Sequence, residues 1–297
     1  MPRLSSLHLW IKNYISNKHI QIPSAEIHYI ISGITGISKE HLLIHKDSIV
    51  SNSDSEKIKR AVKKRGNHYP LQYIIGSEEF MGMDFLVTSG VLIPRPETEL
   101  LVETALKYTA KRKYKHILDL CCGSGVIGLS IARMDRHTLV SLSDNSASAL
   151  RLAQENSSRI GLGSQVKFYR GDLFSALPVR SKFDLIISNP PYVPHNRIRH
   201  LQKEVLYEPV KAIDGGRKGL EVIKKIIQQA GSFLNEDGTL IIEHDDTHKE
   251  YLETFCTGED QPSLRYIKTI NDFSGLPRMS IFSRRHNKVH ANAKLSR

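Results

Sequence analysis

Asn189, Pro190, Pro191 and Tyr192 follow directly on an apolar run, and from Phe183 the stretch reads FDLIISNPPY. Asp184-Leu185-Ile186-Ile187 has the β-branched, apolar character of a buried parallel strand. The two prolines end it, because neither can donate to a sheet ladder and each fixes its own φ. Asn189 is thereby left at the carboxyl end of a central strand, where open α/β sheets bind their ligands. Its amide oxygen is one acceptor, and the Pro190 carbonyl, held still by the diproline, is a second. Two fixed acceptors suit a planar –NH2 group that donates both hydrogens, and Tyr192 adds an aromatic face to pack on it. Asn-Pro alone is ordinary turn chemistry. The four residues together, after an apolar strand, point to a site.

A second constellation lies upstream. Ile117-Leu118-Asp119-Leu120 reads as a strand, and Cys121-Cys122-Gly123-Ser124-Gly125 follows it. Gly123 and Gly125 let the backbone turn sharply into a helix, so a ligand can approach its amides closely. Asp144 closes the next strand twenty-odd residues on, placed to accept hydrogen bonds from ribose hydroxyls. Asp172 closes a third strand and is placed to reach an adenine amine. Together these call for an adenosine-containing cofactor and leave nicotinamide dinucleotide and S-adenosylmethionine both open. The Asn189 site separates them, since hydride transfer has no use for two acceptors aimed at an –NH2 group. Methyl transfer to nitrogen does, because the nitrogen must be presented in line with the methyl–sulfur bond.

The elements that must hold these residues follow from periodicity. Residues 1–70 read as helical: Leu7, Trp10, Ile11, Tyr14 and Ile15 form one apolar face, and Ile27, Ile30, Ile31 and Ile34 a second. Ser38 is placed to cap a short third helix carrying Leu42 and Leu43, and Ser53 with Glu56 has capping-box spacing for a basic fourth helix ending near Gly66. Between Tyr69 and Pro94 the period changes to two, which predicts a hairpin linking two domains. Pro96 suits the first turn of a helix, whose buried face is Leu100, Leu101, Ala105 and Leu106. Arg95 and Glu97, judged alone, read as a surface pair at that helix start. From His116 strands and helices alternate as a parallel sheet requires. The later strands are Leu139–Leu142, Val166–Tyr169, Asp184–Ile187 and Leu240–Ile242, with two more near Tyr266–Ile270 and Met279–Phe282. Helices are expected over 146–160, around Leu220–Phe233 and near Tyr251–Phe255.

Composition sets the class. The chain has 297 residues, 40% hydrophobic and 25% charged, which is ordinary for a soluble protein of one large or two modest domains. A net charge of +11 favours an anionic partner and says nothing of fold. The excess is spread over Lys57–Arg65, Lys107–Lys115 and a polar tail beyond Arg284. The N-terminus is basic and acid-poor like a transit peptide, yet its apolar spacing is that of a packed helix, so it reads as domain rather than address. Three cysteines without metal-ligand spacing predict a reduced, cytoplasmic setting and no metal. No apolar run approaches membrane-spanning length.

With these residues in view, the chain resembles the HemK/PrmC family of peptide chain release factor glutamine methyltransferases, from about residue 7 to 285. The resemblance rests on Pro70-Leu71-Gln72-Tyr73-Ile74-Ile75-Gly76, Ile93-Pro94-Arg95-Pro96-Glu97-Thr98-Glu99, the glycine turn, Asn189-Pro190-Pro191-Tyr192, and Tyr207-Glu208-Pro209 with Asp214-Gly215-Gly216. It implies an α/β fold: a class I, Rossmann-like, S-adenosylmethionine-dependent methyltransferase domain over 95–285. A release-factor-docking helical domain (1–70) and a β-hairpin linker (71–94) precede it, and a basic tail (286–297) follows. The implied reaction methylates the glutamine side-chain amide of the Gly-Gly-Gln motif. Carried across by motif, cofactor contacts fall on Cys121, Cys122, Gly123, Ser124, Gly125, Asp144, Leu173 and Asn189, with Asp172 beside them. Amide contacts fall on Asn189, Pro190, Pro191 and Tyr192, with Asn189, Pro190 and Tyr192 in the catalytic role. A monomer near the ribosome is expected, with release factors as partners, no membrane and no specific nucleic acid. A ribosomal protein, or an exocyclic amine of RNA or DNA, is the alternative substrate. Two departures stand out. Cys121 and Cys122 replace small glycine and threonine, and Glu243-His244-Asp245-Asp246 replaces the more usual Glu-Ile-Gly after the fifth sheet strand.

Overall fold

The computed structural model describes residues 1–19, 21–45, 47–256 and 263–285, and the basic tail expected over 286–297 lies outside them. Two compact units are formed. The first comprises Met1–Glu78, Val87–Ser89 and Leu201–Glu208, and the second Glu79–Leu86, Gly90–His200 and the chain from Pro209 on.

The first unit is built from α1 (Leu4–Lys18), α2 (Ser24–Thr35), α3 (Lys39–Ile44), α4 (Asn52–Gly66) and α5 (Leu71–Ile75). Leu4, Leu7 and Ile11 of α1 bury against Ile30 and Ile31 of α2, Leu42 of α3 and Ile58 and Val62 of α4. Ser38 caps α3 as expected, its hydroxyl accepting from the His41 amide. The cap of α4 is two residues earlier than its sequence suggested: Ser51 is extended, and its hydroxyl accepts from the Asp54 amide at 2.9 Å. Both Ser51 and Ser53 have an acid three residues on, so spacing alone did not choose between them. Helix α5 replaces the start of the expected hairpin. Pro70 opens it and Gly76, at φ +87°, closes it, and five residues are too few to show a helical period. Residues 201–208 join this unit from far along the chain. Arg65 of α4 pairs with both Glu26 and Glu204, and the Tyr207 hydroxyl donates to the Asn67 carbonyl at 2.9 Å.

A two-stranded hairpin, β1 (Ser77–Phe80) and β2 (Met83–Leu86), leads into the second unit. There α6 (Pro96–Arg112) begins with Pro96 at its first position. It is followed by β3 (His116–Leu120), α7 (Val126–Met134), β4 (Leu139–Asp144), α8 (Ala147–Ile160), β5 (Val166–Arg170) and β6 (Phe183–Ser188). Then come the short α9 (Val210–Ile213), α10 (Glu221–Phe233), β7 (Leu234–Glu243), α11 (Lys249–Phe255), β8 (Leu264–Asn271) and β9 (Pro277–Arg284). The seven-stranded sheet has the order β5-β4-β3-β6-β7-β9-β8, parallel except that β9 runs against β7 and β8. Buried apolar residues cover both faces, as parallel sheets require. Strand β7 is longer than its apolar core Leu240–Ile242, because pairing with β6 reaches back to Leu234 and antiparallel pairing with β9 carries its ladder through Glu243.

Candidate active site

The sheet register lines up the residues singled out from the sequence. Leu120 at the end of β3 pairs with Ser143 on one side and Ser188 on the other, and Ser188 pairs in turn with Ile242. Cys121, Asp144, Asn189 and Glu243, each one residue further along, therefore stand in a row at the carboxyl edge of the sheet. Strand order reverses between β3 and β6, the switch point at which open α/β sheets bind ligands. The Ser188 hydroxyl donates to the Leu120 carbonyl at 2.7 Å and locks the two central strands together at this edge.

The turn after β3 is organised by Asp144. Its carboxylate accepts from the Gly123 amide at 2.9 Å through one oxygen and from the Ser146 amide at 2.8 Å through the other. Burial raises its pKa, opposed by these backbone hydrogen bonds. Gly125 stands at φ +83°, and a Cβ there would lie 2.9 Å from Leu129 and 3.1 Å from Leu142 and Ala153, so only glycine fits. At Gly123 nothing lies within 4 Å of where a Cβ would stand, and the outer side of the turn is open to a ligand. Below it Asp119 is fully buried, accepts from the Gly128 amide at 2.8 Å, and has its carboxyl pushed up to about 7 by burial. Asn156 of α8 clamps the turn from behind. Its Nδ2 donates to the Ser124 carbonyl at 3.0 Å, and its Oδ1 accepts from the Leu86 amide at 2.8 Å.

Cys121 adopts φ +62°, a left-handed conformation unusual for a residue with a Cβ. Its thiol lies beside Ser188, and burial, with Asp144 adding to it, holds it far above the ordinary thiol range. That side chain is accommodated at the cost of backbone strain. Cys121→Gly is therefore expected to keep stability within about 1 kcal/mol of the parent, relieved strain offsetting lost packing and added chain entropy. Cys121→Val, β-branched in the same conformation, is expected to lose about 2 kcal/mol. Denaturant titration of the three proteins checks the order, and a Val variant as stable as the Gly variant would show the turn to be unstrained.

At the end of β6 the Asn189 Nδ2 donates to the Thr98 hydroxyl at 3.2 Å, and that hydroxyl donates to Glu243 Oε2 at 2.9 Å. The Tyr192 hydroxyl donates to Glu243 Oε1 at 3.2 Å. Burial raises the Tyr192 phenol far above its usual range, with Glu243 adding to it, so it stays protonated as a donor. Among the described residues the Asn189 Oδ1 makes no hydrogen bond. Asp214-Gly215-Gly216 supports the segment from below. The Val193 amide donates to the Ile213 carbonyl and the Gly215 amide to the Val193 carbonyl, both at 2.9 Å. A Cβ on Gly215 would stand 2.7 Å from the Tyr192 Cα, so glycine is needed where the two strands of chain meet.

Residues 6–76 match the family model for the PrmC N-terminal domain, and residues 96–213 the model for the methyltransferase small domain. The release factor glutamine methyltransferase of Geobacter sulfurreducens is 37% identical over 79% of this chain and 81% of its own. That of Coxiella burnetii is 34% identical over 88% and 92%. The chain belongs to the release factor glutamine methyltransferase family. Among solved structures, the hMettl16 catalytic domain in complex with a MAT2A 3'UTR hairpin superposes with a TM-score of 0.52 over 97% of this chain and 92% of that one. At 13% identity this likeness concerns the fold alone.

For this glutamine methyltransferase family member, the structure brings Cys121 to Gly125, Asp144 and Asn189 to one sheet edge. Asp172, exposed, and Leu173, buried at φ +48°, follow β5 on the neighbouring strand end, where the Gly171 amide donates to the Asp144 carbonyl at 3.1 Å. Pro190, Pro191 and Tyr192 continue from Asn189. Sequence reasoning missed Thr98 and Glu243 as parts of the site, and Asn156 and Asp119 as its supports. Thr98 lay within the quoted Arg95–Glu99 motif, and Glu243 closes a strand just as Asp144 does, which was the available signal. Among the described residues no group of His, Cys, Asp and Glu has the makings of a metal site, and no helix is long and apolar enough to cross a membrane.

Proposed function

We propose that this protein transfers a methyl group from S-adenosylmethionine to the side-chain amide nitrogen of the glutamine in the Gly-Gly-Gln motif of peptide chain release factors, acting as a cytoplasmic monomer. The observation that carries the reading is the Asn189 amide: its nitrogen is tied to Thr98, leaving its oxygen as an acceptor at the switch point, beside the glycine turn. The residues present suit the cofactor. The Asp144 carboxylate, fixed by two backbone amides, keeps lone pairs for the ribose hydroxyls, and the open side of Gly123 gives the turn room for the ligand. Cys121, Cys122, Ser124, Gly125, Asp172 and Leu173 complete that cradle. When bound, S-adenosylmethionine supplies a methyl group already activated on a sulfonium.

The protein must therefore present a poor nucleophile, since the lone pair of a glutamine amide is delocalised into its carbonyl. Asn189 Oδ1 and the Pro190 carbonyl accept the two hydrogens of the substrate –NH2, orient it and draw density onto nitrogen. Both hydrogen bonds strengthen as the nitrogen gains positive charge, which stabilises the transition state selectively. Tyr192 packs on the flat amide, and Pro191 stiffens the segment. The helical unit is the docking surface for the release factor. Incubating the enzyme with labelled cofactor, a release factor and total RNA tests the reading. Label mapped by mass spectrometry to the Gly-Gly-Gln glutamine is expected, and none in a factor carrying glutamate there. Label in nucleic acid or in a ribosomal protein instead would overturn it.

A further inference from the structure

The side chains behind Asn189 form a line whose hydrogen-bond direction is set at one end. Thr98 is 2% exposed and Glu243 1% exposed, so no solvent competes for their hydrogen bonds. A hydroxyl carries one hydrogen. An ionised carboxylate only accepts, so it takes that hydrogen, and Thr98 has lone pairs alone to offer Asn189. The Asn189 amide must then turn its Nδ2 inward, the arrangement observed, and its Oδ1 faces out. The other Glu243 oxygen takes the Tyr192 hydroxyl, so one carboxylate orients both ends of the Asn189–Tyr192 segment.

We propose that Thr98 and Glu243 are positioning residues that decide which end of the Asn189 amide meets the substrate, the ionised form of Glu243 being the one that presents Oδ1. The proposal rests on the glutamine-amide reading and adds to it a switch of hydrogen-bond polarity. If Glu243 gains a proton on Oε2, it donates to Thr98, the Thr98 hydrogen turns to Asn189, and the amide rotates. Nδ2 then faces the substrate –NH2, donor against donor, and the nitrogen is no longer held.

The groups around Glu243 place this switch near neutrality. Burial pushes its carboxyl up to about 7, against the hydrogen bonds from Thr98 and Tyr192 and the attraction of Arg278 on β9; Glu97 on α6 pushes the same way as burial. Arg278 is itself held by Asp272 at 2.9 Å, and Arg95 bears on Tyr192. His244, the next residue, is pushed down to about 4 by burial and so is neutral through this range.

Single-turnover methylation of a release factor at saturating cofactor, from about pH 5.5 to about pH 9, tests the idea by its acid limb. The parent rate is expected to fall about tenfold per pH unit below about pH 7, since the substrate amide does not titrate there. Glu243→Gln, whose –NH2 donates to Thr98 at every pH, is expected to be about 100-fold slower throughout and to lose the limb. Thr98→Val should show a similar loss with cofactor affinity unchanged, and Thr98→Ser should recover most of the rate. Folding of each variant is checked by thermal unfolding. A second readout needs no substrate: the side-chain –NH2 resonance of Asn189 is expected to shift with an apparent pKa near 7 in the parent and not in Glu243→Gln. An Asn189 resonance without that titration, or variants with the parent's rate and limb, would overturn the proposal. The titration without any glutamine methylation by the parent would support the switch and count against the glutamine reading alone.

Discussion

Asn189→Ala is expected to lower the single-turnover rate of glutamine methylation by about 100-fold or more, the usual effect of removing one preorganised partner of the transition state. The nitrogen of the substrate amide would keep the Pro190 carbonyl as acceptor and be able to turn out of line with the methyl group. Cofactor binding should fall far less, because the Asp144 carboxylate and the turn from Cys121 to Gly125 are held by their own backbone hydrogen bonds. Asn189→Asp keeps the shape and an acceptor, yet it is expected to fare little better than alanine. It removes the donor that Thr98 now accepts and sets a second carboxylate close to Glu243, joined to it through a single hydroxyl. Rapid-quench turnover with saturating cofactor, on variants shown to be folded, measures both. Near-parental rates in the pair would reduce the segment to a turn and remove the main support for the function.

Asp144→Ala is expected to weaken S-adenosylmethionine binding by about 30-fold or more, corresponding to about 2 kcal/mol for acceptors lost to buried ribose hydroxyls. The change also strips the Gly123 and Ser146 amides of their partner, so the turn loosens together with the contact. Asp144→Asn separates the two effects, since it keeps the shape and one acceptor, and should fall between parent and alanine. Burial raises the Asp144 pKa, so cofactor affinity should decline as pH drops through that raised value and the carboxyl gains its proton. Isothermal titration calorimetry reads both the affinity and its pH dependence. Unchanged affinity in a folded alanine variant would take Asp144 out of the binding site.

Much of this was written in local pattern. The apolar runs ending at Asp144, Asn189 and Glu243, the glycines after β3 and the proline at the start of α6 each declare an element or its end through a short apolar stretch, a positive φ or a missing amide hydrogen. Strand alternated with helix, so the parallel sheet and the placing of Asn189 at a strand end followed from order along the chain. Short elements and ambiguous caps were less legible. Five residues of α5 show no period, and two serines near the start of α4 offered the same capping spacing.

What only the tertiary structure decided are the partnerships between distant segments. Thr98 and Glu243 are 145 positions apart, Asn156 and Leu86 are 70 apart, and Arg65 and Glu204 are 139 apart. Their meeting depends on the reversal of strand order between β3 and β6, the ladder that carries β7 through Glu243, and the return of residues 201–208 to the helical unit. Periodicity tells which face of an element is buried, but not which other element covers it. The direction of the hydrogen bonds behind Asn189 is a further step removed. It depends on whether a carboxyl carries a proton, and the burial that sets this exists only once the chain has folded around Glu243.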